Sequence, residues 1–157
     1  MRFTSEVNWT AGDFIFAGML FAIIGGLFEL GVRASRNGFY RAGFALGLLG
    51  AFLVIWTNLA VGIVGSEDNP GTQWFFAALL VGIVGAAAAR LRAPGMTLAM
   101  AATAASIVIA FLVAVAGPTD EPFVSHWTEG FGTSVFALLF LCSAALFHKA
   151  HSSSSSS

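Results

Sequence analysis

Five long apolar runs, separated by short polar connections, constrain the fold of this chain more than any other feature. They cover approximately residues 12–32, 39–65, 73–89, 95–117 and 130–147, and the third run is the shortest. A helix needs about 20 predominantly apolar residues to cross the hydrocarbon core of a bilayer. The hydrocarbon core offers no hydrogen-bond partner to backbone N–H and C=O groups, so only helices and closed barrels can cross it. None of the runs alternates polar and apolar residues as a barrel strand does. The sequence predicts an all-α, polytopic transmembrane bundle with five spans, formed by residues 1–150 as a single domain.

The composition excludes several other classes of protein. Hydrophobic residues make up 57% of the 157 residues, charged residues make up 10%, and the mean hydropathy is +0.85. A soluble domain is about 25% charged, so this chain is neither a soluble enzyme, a disordered protein nor a disulfide scaffold. Seven Lys and Arg residues and a net charge of −1 argue against nucleic-acid binding. The single cysteine, Cys142, lies in an apolar run and is predicted to be a small buried hydrophobe.

The basic residues predict the orientation of the five spans. Six of the seven fall on one side of the membrane: Arg33, Arg36, Arg41, Arg90, Arg92 and Lys149. Cytoplasmic loops carry the excess of Lys and Arg, which predicts an outside N-terminus and an inside C-terminus. Four or six spans would instead divide these loops between the two sides. Aromatic residues at both boundaries fit an interfacial belt: Trp9, Trp74 and Trp127 outside, and Phe39 and Tyr40 inside.

Small residues recur at helical spacing in four of the five spans. These stripes are Gly18, Ala22 and Gly26; Gly43, Gly47 and Gly50; Ala78, Gly82 and Ala86; and Ala101 and Ala105. Membrane helices associate through close contacts between small residues, so the stripes predict a compact bundle. Packing within the chain and association with another subunit or a second copy both stay open. The tail, residues 151–157, ends in six serines and is predicted to be disordered.

Asn58 lies inside the second predicted span, about seven residues from its outer end. An amide in hydrocarbon needs hydrogen-bond partners. We expect Asn58 to form an interhelical clasp with Thr133 or Ser134, which lie at similar depth in the fifth span. The alternative is that Asn58 contacts a substrate, a quinone or an ion.

Apart from Asp13 at the outer end of the first run, Glu29 is the only carboxylate within the predicted spans, and it lies about one turn from the cytoplasmic boundary. Arg33 follows four residues later, so the two side chains share a helix face and can pair. We expect a local ion pair. The alternative is a proton-relay carboxylate, because charges inside a membrane are often functional.

Glu67 and Asp68 lie in the polar segment 65–71, which has the composition of a turn. We expect a solvated, structured turn. The alternative is a divalent-cation site shared with Asp120 and Glu121 from the other outer loop. Divalent cations take six or more oxygen ligands, usually from a defined loop, and the sequence contains no such pattern.

The stretch from Asn58 to Pro70 reads Asn-Leu-Ala-Val-Gly-Ile-Val-Gly-Ser-Glu-Asp-Asn-Pro. It resembles a stretch of a family of small bacterial integral membrane proteins that has no assigned activity or cofactor. The Arg-rich turn before it and the short, Ala-rich third span after it are also similar. The resemblance implies a multi-pass protein of the bacterial inner membrane and transfers no functional residues.

The sequence contains no phosphate-binding loop, zinc motif or nucleophile elbow. We therefore predict no catalytic residues, no metal site, no cofactor and no enzymatic activity. The predicted function is that of an accessory or interaction subunit of a membrane complex, whose partners are the bilayer and other membrane subunits. The alternative is a small oligomeric transporter or channel in which Asn58 and Glu29 line a path.

Overall fold

A computed structural model describes residues 11–60, 62–65, 70–117 and 126–154. Five α-helices follow one another: α1 (Ala11–Ala34), α2 (Gly38–Ala60), α3 (Gln73–Ala88), α4 (Ala93–Ala116) and α5 (His126–Ser154). A short 3₁₀ turn, Pro70–Thr72, leads into α3. The described segments contain no strand, which confirms the all-α prediction. All helices except α3 are long and apolar enough to cross a membrane.

Helix α3 is short for a membrane span. Its 16 residues reach about 24 Å at about 1.5 Å per residue, whereas the hydrocarbon core is about 30 Å thick. The 3₁₀ turn precedes α3 directly and packs on α4. Length and composition therefore identify four helices that can span a membrane, and α3 is not one of them.

Helices α2 to α5 form a four-helix bundle in which α5 packs against α2 and α4, and α4 also packs against α3. Helices α2 and α5 run antiparallel, because Gly43 lies beside Phe147 and Gly50 lies beside Phe140. Helices α3 and α4 are antiparallel too, with Gly82 beside Thr103 and Gly85 beside Ala99. Fully buried side chains from all four helices fill the interior, among them Val54, Phe75, Ile107 and Phe147.

Glycines hold the backbones of this bundle close together. A Cβ added at Gly43 would lie 3.2 Å from the Ser143 carbonyl oxygen, and one at Gly47 would lie 3.2 Å from Ser143 Oγ. The Ser143 hydroxyl donates a 2.6 Å hydrogen bond to the Gly43 carbonyl oxygen. A Cβ at Gly82 would lie 2.6 Å from Thr103 Oγ1. The small-residue stripes of α2 and α3 are thus used within the chain, as membrane helix packing requires.

Side-chain hydrogen bonds tie together the end of the bundle where α2 begins and α5 ends, which we label the inner end after the predicted orientation. Arg41 donates to the carbonyl oxygens of Ser35 (2.9 Å) and Val32 (3.1 Å), which complements the C-terminus of α1. Asn37 Oδ1 accepts from the backbone N–H of Phe39 at 2.9 Å and caps the start of α2.

Tyr40 does not belong to the interfacial belt that the sequence predicts. Its side chain is buried between α2 and α5, with its ring 5.0 Å from that of Phe147. Its hydroxyl donates a 2.7 Å hydrogen bond to the Leu91 carbonyl oxygen in the α3–α4 turn. Tyr40 is buried because this turn supplies the partner that its hydroxyl would otherwise find at the interface.

Helix α1 lies at the periphery and packs against α2. Gly31 lies against the ring of Phe44, and the rings of Phe21 and Phe52 are 5.5 Å apart, so the two helices are antiparallel. Only 11% of the apolar span of α1 is buried, against 33–39% for α2, α4 and α5. Large apolar side chains cover much of its surface, including Phe16, Met19, Ile23 and Leu27.

Two predictions about α5 differ from the structure. Cys142 is exposed on the outer surface of the helix rather than buried, because Ser143 and not Cys142 faces α2. Residues 151–154 of the predicted disordered tail continue the helix. The hydroxyl of Ser154 bonds the Ala150 carbonyl oxygen at 2.9 Å, and Asn37 Nδ2 donates to Ser153 Oγ at 2.9 Å. Extending an existing helix avoids the cost of nucleation. Residues 155–157 lie outside the described part.

Candidate functional site

Buried polar side chains lie at the opposite end of the bundle, where α2 ends and α3 and α5 begin, which we label the outer end. Asn58, Thr72 and Thr133 are 2%, 7% and 3% exposed. Neither amide atom of Asn58 and neither threonine hydroxyl has a hydrogen-bond partner within the described part of the chain. Buried polar groups are almost always paired, so such a concentration of unpaired ones points to something that the protein itself does not supply.

Glu129 joins this group from the first turn of α5. Its side chain is only 13% exposed, and its Oε1 accepts a 2.7 Å hydrogen bond from the backbone N–H of Gly65. Gly62 and Gly65 have φ of 75° and 67°, a conformation that glycine adopts without strain. They turn the chain after α2 so that the Gly65 N–H reaches the carboxylate. The other oxygen, Oε2, lies 3.6 Å from His126 Nδ1 and has no hydrogen bond among the described residues.

The register of α2 and α5 brings Asn58 to the level of Thr133. Gly43 faces Phe147 and Gly50 faces Phe140, and the same antiparallel register continued outward pairs residue 58 with residues 132–133. Glu129 lies one turn further out on the same side of α5 as Thr133, because the two are four residues apart. Thr72 ends the 3₁₀ turn that packs on α4, and its hydroxyl is also buried without a partner among the described residues. We call Asn58, Glu129 and Thr133 the outer polar cluster.

Apolar side chains close the inner side of the outer polar cluster. Val54 lies one turn inward from Asn58, and Phe136 follows Thr133 inward along α5. Ile107 contributes from α4. Val54 and Ile107 are 0% exposed and Phe136 is 7% exposed. The cluster is therefore a blind polar site, bounded by a packed apolar core on the side away from the outer end.

The clasp predicted for Asn58 is not formed. Asn58 and Thr133 face the same interior but neither is hydrogen-bonded, and the Ser134 hydroxyl is exposed and donates to the Gly130 carbonyl oxygen at 2.7 Å. Glu29 is also not the only carboxylate within a helix of the bundle region, because α5 begins at His126 and includes Glu129. Glu129 was missed because the apolar run begins only at about residue 130. Its four-residue spacing to Thr133 was nevertheless a sequence signal that the two share a helix face.

Glu29 and Arg33 form the expected ion pair, with 2.8 Å between Glu29 Oε1 and Arg33 Nε. Both side chains are exposed, at 58% and 77%. The pair lies on α1, far from Asn58 near the opposite end of α2, so the structure does not bring these two candidates together. Glu67 and Asp68 lie outside the described residues. Within the described ranges, no group of three or more His, Cys, Asp and Glu side chains is arranged to hold a metal ion.

One side of α1 presents small residues that touch nothing. A Cβ added at Gly18, Gly25 or Gly26 would meet no atom within 4 Å, and Ala22 between them is exposed. At about 100° per residue, Gly18, Ala22 and Gly25 lie about a third of a turn away from the side that contacts α2. Glu29 and Arg33 continue the same side toward the inner end. We call Gly18, Ala22, Gly25, Gly26 and the Glu29–Arg33 pair the open face of α1.

No family model, curated protein or solved structure matches the chain. The resemblance of residues 58–70 to small bacterial membrane proteins stays a prediction. Functional proposals therefore rest on the two features described above, the outer polar cluster and the open face of α1.

Proposed function

We propose that the chain is a five-span protein of the bacterial inner membrane, with α3 as the third span. The 3₁₀ turn and α3 together cover residues 70–88, which gives about 30 Å of helical length. Helix α3 runs antiparallel to α4, which itself is long enough to span. Hydrogen bonds from Tyr40 to Leu91 and from Asn37 to Ser153 join the three basic segments at one end of the bundle. These observations support a single, positively charged cytoplasmic side.

Reporter fusions test this topology. A reporter that is active only in the cytoplasm should work after Lys149 and between Asn37 and Gly38, and it should fail near Asp68 and Asp120. A reporter at Asn37–Gly38 also serves as the positive control for expression. Cytoplasmic activity near Asp68 would contradict both the orientation and the crossing of α3.

We further propose that the chain is an accessory subunit that binds a transmembrane helix of another membrane protein through the open face of α1. The observation that carries this proposal is that Gly18, Gly25 and Gly26 have no neighbour, whereas the glycines in the middle of α2 and α3 are packed. Small residues allow two helix backbones to approach closely, and the resulting contacts drive association in lipid. The exposed Glu29–Arg33 pair gives the same face a polar contact near the headgroups.

The geometry gives less support to a shared transport path. Asn58 is buried inside the bundle near its outer end, and Glu29 is exposed on the outside of α1 near its inner end. Val54, Ile107 and Phe136 separate the outer polar cluster from the inner end. A homo-oligomeric channel needs a continuous polar lining, and these two residues do not contribute to one.

Affinity purification from native membranes tests the accessory role. A tagged chain should retain a stoichiometric membrane partner, and Gly18→Leu combined with Gly25→Leu should remove it. The matched control is Gly132→Leu, because Gly132 on α5 also has no neighbour within 4 Å. The control should retain the partner.

Two results would contradict the accessory role. In the first, the tagged chain elutes with copies of itself alone, and the α1 double variant breaks that oligomer. In the second, the partner binds equally well to the wild type, to the α1 double variant and to Gly132→Leu.

A further inference from the structure

We propose that the outer polar cluster binds one partly hydrated monovalent metal cation. Its protein ligands would be Glu129 Oε2, Asn58 Oδ1 and Thr133 Oγ1. This proposal is independent of the function proposed for α1, since it concerns the interior of the bundle and not the exposed surface of α1. It starts from the unpaired, buried side chains of the cluster.

The charge of the cluster selects a monovalent cation. Glu129 is its one carboxylate, and a carboxylate that is buried without a compensating charge is strongly unfavourable. The Gly65 N–H neutralises none of that charge. Among the described residues, the titratable group beside Glu129 is His126, which is half exposed and whose Nδ1 lies 3.6 Å from Glu129 Oε2. One monovalent cation balances one carboxylate. Divalent cations take more oxygen ligands and usually more than one carboxylate.

The chemistry of the unpaired atoms also fits a hard cation. The oxygens of the cluster are a carboxylate oxygen, an amide oxygen and a hydroxyl oxygen, and hard cations prefer such ligands. Asn58 Nδ2 is a donor and cannot bind the ion. A water molecule that the ion retains would accept from it, since ordered water commonly pairs buried groups of this kind. The ion would thus bind the oxygen atoms of the cluster, and its water would accept a hydrogen bond from Asn58 Nδ2.

The location indicates binding without passage. The cluster lies next to the outer end, and Val54, Ile107 and Phe136 fill the bundle directly inward of it. A cation that enters from the outside therefore stops at Asn58. It would stabilise the contact between α5 and the segment after α2, which Glu129 and Gly65 already join.

The test is thermal unfolding of the purified full chain in chlorides of sodium, potassium, lithium and choline at equal ionic strength. Choline is too large for the cluster and controls for screening. At least one alkali cation should raise the unfolding temperature in a saturable manner. At about 100 times the dissociation constant, we expect a rise of about 5–10 °C. Equilibrium binding of a radioactive alkali ion should then saturate at one ion per chain.

Variants separate the site from a general salt effect. Glu129→Gln should abolish the alkali-dependent rise, whereas Glu29→Gln should keep it because that carboxylate is exposed at the other end of the molecule. If Glu129→Gln does not fold, Asn58→Leu replaces an unpaired amide with an apolar side chain of similar size and should also abolish the rise. The proposal is overturned if all four chlorides give the same unfolding temperature, as expected for a cluster filled by water alone. It is equally overturned if the alkali dependence persists in Asn58→Leu.

Discussion

Helix α1 and the bundle α2–α5 both contain stripes of small residues, but these residues are packed in the bundle and exposed on α1. In the bundle, Gly43, Gly47 and Gly82 bring backbones and short side chains into contact. On α1, Gly18 and Gly25 contact nothing, whereas Gly31 packs against Phe44. A small-residue stripe therefore indicates that a helix can be approached closely. It does not indicate what approaches it.

The two regions also differ in where their polar side chains lie and in whether these are paired. The bundle buries Asn58 and Thr133 without partners within the described ranges, while α1 displays its ion pair on the surface. An unpaired buried group costs about 1–3 kcal/mol, whereas an exposed ion pair contributes about 0–1 kcal/mol. A ligand that pairs the buried groups of the outer end would therefore change the free energy more than a partner that contacts the ion pair of α1.

The largest difference between the two regions should come from leucine substitutions. Gly43→Leu should destabilise the bundle by about 1–3 kcal/mol through overpacking, because the Ser143 carbonyl oxygen lies 3.2 Å from the new Cβ and backbone cannot move aside. Gly25→Leu on α1 should leave stability within about 0.5 kcal/mol. Unfolding of both variants in detergent measures this difference. Equal destabilisation would mean that α1 is packed in solution.

Gly31→Leu should detach α1 and leave the bundle folded. The Phe44 ring occupies the space that the new side chain needs, and overpacking of about 1–3 kcal/mol corresponds to roughly a tenfold loss of the docked state. The readout is cross-linking by a short bifunctional thiol reagent between Phe21→Cys and Phe52→Cys, with Cys142→Ala as background. A cross-linking yield that Gly31→Leu leaves unchanged would show that α1 is held by contacts other than this one.

Ser143→Ala should have a smaller effect, about 0.6 kcal/mol, the average for an interhelical hydrogen bond in a membrane protein. The lost bond is the 2.6 Å contact from the Ser143 hydroxyl to Gly43 on the neighbouring helix. Ser134→Ala is the matched control, because its hydroxyl bonds a carbonyl of its own helix and is exposed. Chemical denaturation in mixed micelles compares the two. A larger loss of stability in Ser134→Ala than in Ser143→Ala would contradict the interhelical role of Ser143.

Glu29→Gln should have the smallest effect, about 0–0.5 kcal/mol on the isolated chain, because both members of the ion pair are exposed. The same variant should weaken retention of a membrane partner if the open face of α1 is the contact. Glu29→Asp, which keeps the charge, should weaken retention less. Strong destabilisation of the isolated chain by Glu29→Gln would show that the pair holds α1 in place and is not free for a partner.

The helical bundle could be predicted because apolar run length and backbone hydrogen bonding leave no other fold in lipid. The helix ends could not be predicted as well, since polar residues extend a helix beyond its apolar run. Helix α5 begins at His126 and reaches Ser154, whereas the apolar run covers about residues 130–147. This extension brought Glu129 into the outer polar cluster and Ser153 into contact with Asn37. Tyr40 was assigned to the interface because its hydroxyl partner, Leu91, lies far along the chain.

The sequence by itself determined the class of this protein: an all-α chain with apolar helices, small-residue stripes and basic residues on alternate connections. Periodicity and composition suffice for this, because they act within one helix. Only the tertiary structure decided which stripes are filled, that Asn58 has no hydrogen bond to Thr133, and that Glu129 faces the interior while Cys142 faces outward. The physical reason is that partners are set by the register and rotation of one helix against another, and these depend on all contacts of the bundle together.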